Sequence, residues 1–159
     1  MADTAREDYI DLGTVFDDLV RVETRLYNAV ADRLKSEAGI SAGHFELLRH
    51  VHAQPDARVA DLAAVFAIGV GTTSKIVDRV EEEGWLERRP NPANRRSSLL
   101  ALTPAGQAVV SRAESVWRAA IEEILGASPV TAAELAALGR TLGALRSDLE
   151  DRRLGLPNG

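Results

Sequence analysis

From Tyr9 to about Glu37, apolar side chains recur at Leu12, Phe16, Leu19, Val22, Leu26, Val30 and Leu34, in steps of three and four. That spacing stacks them on one face of a helix turning once per 3.6 residues and predicts a long amphipathic helix within 8–38. Gly39 is its stop and Ser41 the cap of the next element. Residues 42–53 predict a short helix with Phe45, Leu48 and Val51 or His52 inward, ended by Gln54-Pro55-Asp56. Residues 58–66 predict another, with Val59, Leu62 and Val65 or Phe66 on one face. After the glycine-bearing turn Ala67-Ile68-Gly69, a helix runs from Val70 to about Glu83 with Thr73, Ile76 or Val77, and Val80 inward. Two helices joined by so short a turn describe a helix-turn-helix, which alone is a weak pattern.

The breakers that follow make it specific. Gly84 ends the helix, Trp85–Arg88 is a strand candidate, and Pro90-Asn91-Pro92-Ala93-Asn94 is turn chemistry, its two prolines excluding helix or central strand. Ser97–Leu102 returns as a second strand. Three helices followed by a hairpin with a proline-rich, arginine-bearing tip predict a winged helix over 41–103. Thr103-Pro104 starts a further helix, a hydroxyl cap followed by proline in the first turn. It reaches about Leu125, and Gly126–Pro129 breaks it. Thr131 and Glu134 form a capping box. Leu135, Leu138, Leu142, Leu145 and Leu149 then repeat at three, four, three and four, a heptad seam. Terminal helices this long, 8–38 and 104–152, exceed what one small lobe needs to cover its core. The leucine face could cover the chain's own core, but helices of this length favour a shared dimer interface. The expected fold is thus mainly α with a small β-hairpin, one domain over 1–159.

A chain of 159 residues with 45% hydrophobic and 27% charged residues fits one ordinary globular domain. No apolar run approaches the roughly twenty residues needed to span a bilayer, and the acidic start MADTAREDYIDLG lacks the pattern of a secretory signal. No membrane association and a cytoplasmic address are the expectations. The net charge of −5 is unevenly spread. Residues 1–39 carry nine acidic and five basic side chains, and 122–159 carry six and four. The stretch 85–98 sets Arg88, Arg89, Arg95 and Arg96 against Glu87 alone. A local basic projection governs phosphate binding more than the global sum does.

Cysteine is absent, which excludes disulfides, thiolate metal sites, cysteine nucleophiles and thiol-based oxidation sensing. The three histidines, His44, His50 and His52, offer no i, i+4 ligand pair, so no metal site or cofactor is expected. The carboxylates, including Glu81-Glu82-Glu83, lie on solvated helix faces without a paired base, and no glycine-rich phosphate loop follows a strand. No enzymatic constellation emerges.

Residues 61–106, DLAAVFAIGVGTTSKIVDRVEEEGWLERRPNPANRRSSLLALTPAG, resemble the MarR family of bacterial transcription regulators. The resemblance covers nearly the whole chain. It is carried by the acidic helix end and glycine (Glu81-Glu82-Glu83-Gly84), Arg88 leaving the first strand, the wing, and the LTPAG return. One position departs: the family's wing usually reads Asp-x-Arg, whereas this chain reads Asn94-Arg95-Arg96. Asparagine can hydrogen-bond a guanidinium without the charge-assisted strength of a carboxylate. The resemblance implies a homodimer whose first helix and last two helices from both chains interlock. It also implies a repressor on a palindromic operator in double-stranded DNA, released by a small aromatic or phenolic ligand.

On the helix from Val70, residues Gly71, Thr72, Ser74, Lys75, Asp78 and Arg79 are free to meet a major groove. Hydroxyls and a lysine near a helix start suit base edges and phosphates. Gly69 and Gly71 would permit close backbone approach. Adjacent Arg95 and Arg96 on a proline-stiffened tip suit the narrow, electronegative minor groove. Arg88 and Arg89 are candidates for backbone phosphate or for an acidic neighbour such as Glu87. The DNA-contact set is therefore Gly71, Thr72, Ser74, Lys75, Arg79, Arg88, Arg89, Arg95 and Arg96. In the family, ligands lodge between the dimer helices and the winged lobe. Here that wall would include Tyr27, His44, Phe45 and Trp117, with core packing the competing role for the apolar ones. The alternative from another class is a helical dimeric interaction module whose winged helix binds protein; the wing arginines and Lys75 speak against it.

Overall fold

The computed structural model describes residues 11–157. Helix α1 (Leu12–Arg33) starts where Asp11 Oδ1 accepts the Gly13 N–H at 3.0 Å. The predicted start at Tyr9 lies outside the described residues. One π-helical turn, Leu34–Ala38, continues α1 and ends at Gly39, whose φ of 71° lies in the left-handed region. Periodicity alone predicts a single α-helix here. Steps of four from Val22 to Leu34 drift around a 3.6-residue helix, and the wider turn re-phases the face so that Leu34 and Ala38 are both buried. Arg112 from the helix that follows the hairpin donates to the Ala38 carbonyl at 2.9 Å, satisfying one acceptor at this helix end.

Helix α2 (Ala42–Ala53) is capped by Ser41 and buries Phe45, Leu47, Leu48 and Val51; His52 faces out. Helices α3 (Val59–Val65) and α4 (Val70–Glu82) are bent 116° from one another. On α3, Leu62 and Ala63 are buried and Phe66 just beyond it packs on the core, while Val65 is exposed. The turn between them is not made by its glycine. Ala67 takes the left-handed conformation (φ 51°), and Gly69 sits extended at the α4 N-cap. Thr73, Val77 and Val80 are α4's buried face.

Strands β1 (Leu86–Pro90) and β2 (Ser98–Leu102) pair antiparallel, with Leu86 opposite Leu102 and Pro90 opposite Ser98. Pro90, expected in the turn, is instead the last ladder position, which a two-stranded sheet allows because both strands are edges. The Leu100 N–H reaches back to the Ala57 carbonyl at 2.8 Å and ties the hairpin to the α2–α3 connection.

Helix α5 (Pro104–Gly126) begins on Thr103, whose Oγ1 accepts the Gly106 N–H and donates to the Gly84 carbonyl. A side chain at Gly106 would place its Cβ 1.8 Å from the Trp85 carbonyl oxygen, so this turn-to-helix packing requires glycine. Arg33 bonds both Glu37 and, at 2.9 Å, Glu123, linking α1 to α5. Helix α6 (Ala132–Asp151) carries the predicted Thr131/Glu134 capping box. One core runs from Val30 and Leu34 through Phe45, Leu48, Leu62, Val77 and Leu100 to Val109 and Ala120. Helix α6 contributes no buried residue, and Leu138, Leu142, Leu145 and Leu149 are all exposed. They do not cover the chain's own core. Among the described residues no single helix is long and apolar enough to cross a membrane.

Candidate nucleic-acid interface

The buried Thr73–Val77–Val80 face clamps α4 to the core and turns the opposite face outward. Thr73 Oγ1 donates to the Gly69 carbonyl at 3.1 Å and fixes the helix start. Gly71, Thr72, Lys75 and Arg79 are exposed and Ser74 is half-buried, so the predicted reading face is presented as one surface. Neither Lys75 nor Arg79 pairs with a carboxylate among the described residues. A Cβ on Gly69 or Gly71 would meet nothing within 4 Å. Neither glycine serves a close approach inside the chain, and Gly71 leaves open surface on the outward face.

The wing tip is ordered by uncharged groups. Asn91, the one buried polar side chain besides Thr73 among the described residues, accepts the Ala93 N–H at 3.0 Å and donates to Ser97 Oγ at 2.9 Å. Ser97 Oγ donates to the Asn94 carbonyl. Asn94 Oδ1 accepts the backbone N–H of Arg96 at 3.0 Å, so the side chain in place of the usual aspartate braces the arginine's backbone, not its guanidinium. Arg95 and Arg96 are exposed, and among the described residues no carboxylate pairs with either.

Arg88 and Arg89 differ from those two. The Arg88 guanidinium is held by Asp78 at 2.5 Å and by Glu81, and its backbone N–H donates to Glu81 at 3.1 Å. These bonds join β1 to α4, so Arg88 is engaged within the protein and sets where the wing stands relative to the helix. Arg89 pairs with Glu87 at 2.7 Å, the acidic neighbour expected from sequence.

Sequence reasoning missed Arg58. Asp61 Oδ2 accepts its backbone N–H at 2.8 Å and its Nε at 2.9 Å, and Oδ1 accepts Nη2 at 2.7 Å. Hydrogen bonding to Arg58 holds the Asp61 carboxyl below its usual range despite partial burial. The available signal was an acidic residue three positions into a helix, the spacing that returns to the N-cap amide. A cleft of about 450 Å³ opens between the start of α3, α4 and the wing, with Arg58, Val70, Ser74, Arg96 and Ser97 on its walls.

Of the four ligand candidates, Phe45 is fully buried, its ring 6.4 Å from that of Trp117. The Arg49 guanidinium lies 4.4 Å from the Trp117 ring centre and 5.3 Å from that of Phe45. Tyr27 is partly exposed, and burial together with Glu46 and Glu23 raises its hydroxyl pKa. Burial and then Arg79 lower the His44 pKa, against an opposing pull from Glu83. Phe45 and Trp117 are brought together; none of the four lines the cleft above or the smaller one of about 200 Å³ near Val51, Arg89 and Gln107.

The winged helix and long terminal helices define the class, and comparison with known proteins gives the family. The MarR family profile matches residues 40–98. The multiple antibiotic resistance protein MarR of Salmonella typhimurium is 30% identical over 101 residues, covering 60% of this chain and 70% of that protein. The crystal structure of apo MarR from Escherichia coli superposes with a TM-score of 0.72 at 25% identity, covering 87% of this chain and 98% of that one. A MarR family transcriptional regulator from Streptomyces coelicolor, solved in complex with DNA, superposes with a TM-score of 0.76 over 89% of this chain and 94% of its own. At 22% identity, that likeness speaks for the fold alone. This chain belongs to the MarR family, whose members are transcription regulators and not enzymes.

Proposed function

We propose that the protein is a homodimeric, sequence-specific DNA-binding repressor in the cytoplasm, acting on a palindromic operator and released by a small aromatic or phenolic ligand. The observation that carries the DNA-binding part is the pairing of two free cationic projections on one side of the lobe. One is the outward face of α4 with Thr72, Ser74 and Lys75; the other is the wing tip with Arg95 and Arg96. Solved relatives in complex with DNA, including E. coli MarR with operator DNA, support this use of the shared architecture. The exposed leucines of α6 and the exposed Leu12, Phe16 and Leu19 of α1 support dimerisation, because apolar stripes of this length need a partner surface. Ligand release is supported by the half-buried Trp117 ring with the Arg49 guanidinium 4.4 Å from its centre and by the partly exposed Tyr27, which are aromatic and cationic groups of the kind such a ligand would meet.

Two-fold symmetry is the testable consequence. Duplexes selected from fragments of the source genome should footprint as two half-sites about one helical turn apart, roughly 10 bp or a multiple. Protection of a single asymmetric half-site contradicts the dimeric operator reading. Failure to select any duplex favours the protein-binding alternative.

A further inference from the structure

The cleft between α3, α4 and the wing lies where two projections meant for adjacent grooves diverge. A helix in the major groove and a wing in the neighbouring minor groove are separated by one sugar–phosphate strand, which must pass between them. We propose that this cleft seats that strand and that Arg58 is a phosphate contact held in position by Asp61. The inference rests on the DNA-binding reading and extends it to Arg58, a residue outside the predicted DNA-contact set.

The chemistry of the walls fits a phosphodiester strand. Arg96 supplies unpaired positive charge, Arg58 supplies guanidinium donors beside its partner Asp61, Ser74 and Ser97 supply hydroxyls, and Val59 and Val70 give an apolar surface for deoxyribose. Arg58 is prepared for such a contact. Asp61 occupies Nε and one N–H of Nη2, which leaves three of the five guanidinium donors unused, two of them on the Nη1/Nη2 end of the group. A guanidinium already fixed by a carboxylate loses little rotamer freedom when it binds a second anion. Its side chain is 47% exposed. Arg88 also borders the cleft but is 25% exposed and carries two carboxylates on its Nη atoms, so its charge is neutralised within the protein.

The test compares wild type with Arg58→Gln on a duplex that the wild type selects from a random pool. Further duplexes carry a single neutral methylphosphonate at each successive position. Arg58→Gln should bind about tenfold more weakly per half-site, as expected when one hydrogen bond between charged groups is removed. The slope of log affinity against log salt should flatten by about one per half-site. At one phosphate in each half-site, methylphosphonate should abolish the difference between variant and wild type. Equal affinity and slope for the two proteins, or a weakening independent of methylphosphonate position, overturns the seat. Should Arg58→Gln fail to fold, Arg58→Lys serves instead: it keeps the charge but lacks the planar fork that Asp61 grips. A folded Arg58→Lys protein should bind more weakly than wild type with the same phosphate dependence, and behaviour identical to wild type overturns the proposal. Failure of the wild type to select any duplex defeats the DNA-binding reading itself, a distinct outcome.

Discussion

Gly106 shows how one residue can be fixed by its surroundings. Its missing side chain lets the start of α5 press on the Trp85 carbonyl, and a Cβ there would sit 1.8 Å from that oxygen. Gly106→Ala should lower the unfolding free energy by about 1–3 kcal/mol, as overpacking does, read from urea denaturation. An unchanged midpoint would contradict the contact. His44 gives the corresponding pH statement. Burial, reinforced by Arg79, lowers its pKa from the ordinary value near 6.5, so the folded state holds it neutral. Between the lowered pKa and about 6.5 the unfolded chain binds the proton more readily, and stability therefore rises with pH. The contribution is present above about pH 6.5 and lost as the pH falls. His44→Gln should flatten the change in urea midpoint between about pH 7.5 and about pH 5, a span that contains the ordinary histidine value. An identical slope in the two proteins would contradict the assignment.

At the scale of elements, what the sequence made legible was local. Caps, breakers and periodicity located α2, α4, α5 and α6 to within a residue or two, because Ser41, Thr103 and Thr131 act on amides a few positions away. The π turn and the left-handed Ala67 escaped that reading, since no residue type announces either: the turn takes its positive φ at an alanine although a glycine stands two positions on. The candidate interface divides the same way. The outward face of α4 and the wing arginines follow from helix period and turn chemistry. The capture of Arg88 by Asp78 and Glu81, ten and seven positions back, depends on β1 crossing the end of α4. Arg88→Gln should cost about 1 kcal/mol of stability, the scale for partly exposed ion pairs. It should leave the salt slope of DNA binding unaltered, because no phosphate contact is removed. A slope flattened by about one per half-site would instead make Arg88 a phosphate ligand. Helix α6 supplies the other prediction at this scale. Helices in proteins owe most of their stability to packing an amphipathic face, and α6 packs no side chain into the core of its own chain. Leu138→Glu with Leu142→Glu should give monomers or unfolded protein in sedimentation, and a wild type that is monomeric at micromolar concentration would contradict the seam.

For the whole molecule, the formal charge of −5 and a DNA-binding role are compatible because the charge is segregated. Acidic residues predominate toward the ends of the chain, while Lys75, Arg79, Arg95 and Arg96 are exposed on the helix-turn-helix and wing. The proposed function makes the wing one of the two DNA-contacting projections. It is tested most directly by a salt titration of Arg95→Ala/Arg96→Ala against wild type, on a selected duplex and on an unrelated one, with circular dichroism confirming the fold. A tip that reads groove width and potential should bind both duplexes more weakly and to the same degree, with the slope flattening by about one for each phosphate that the tip no longer neutralises. A folded double variant with unchanged affinity and slope on both duplexes would contradict the account and leave the winged helix as a surface for protein.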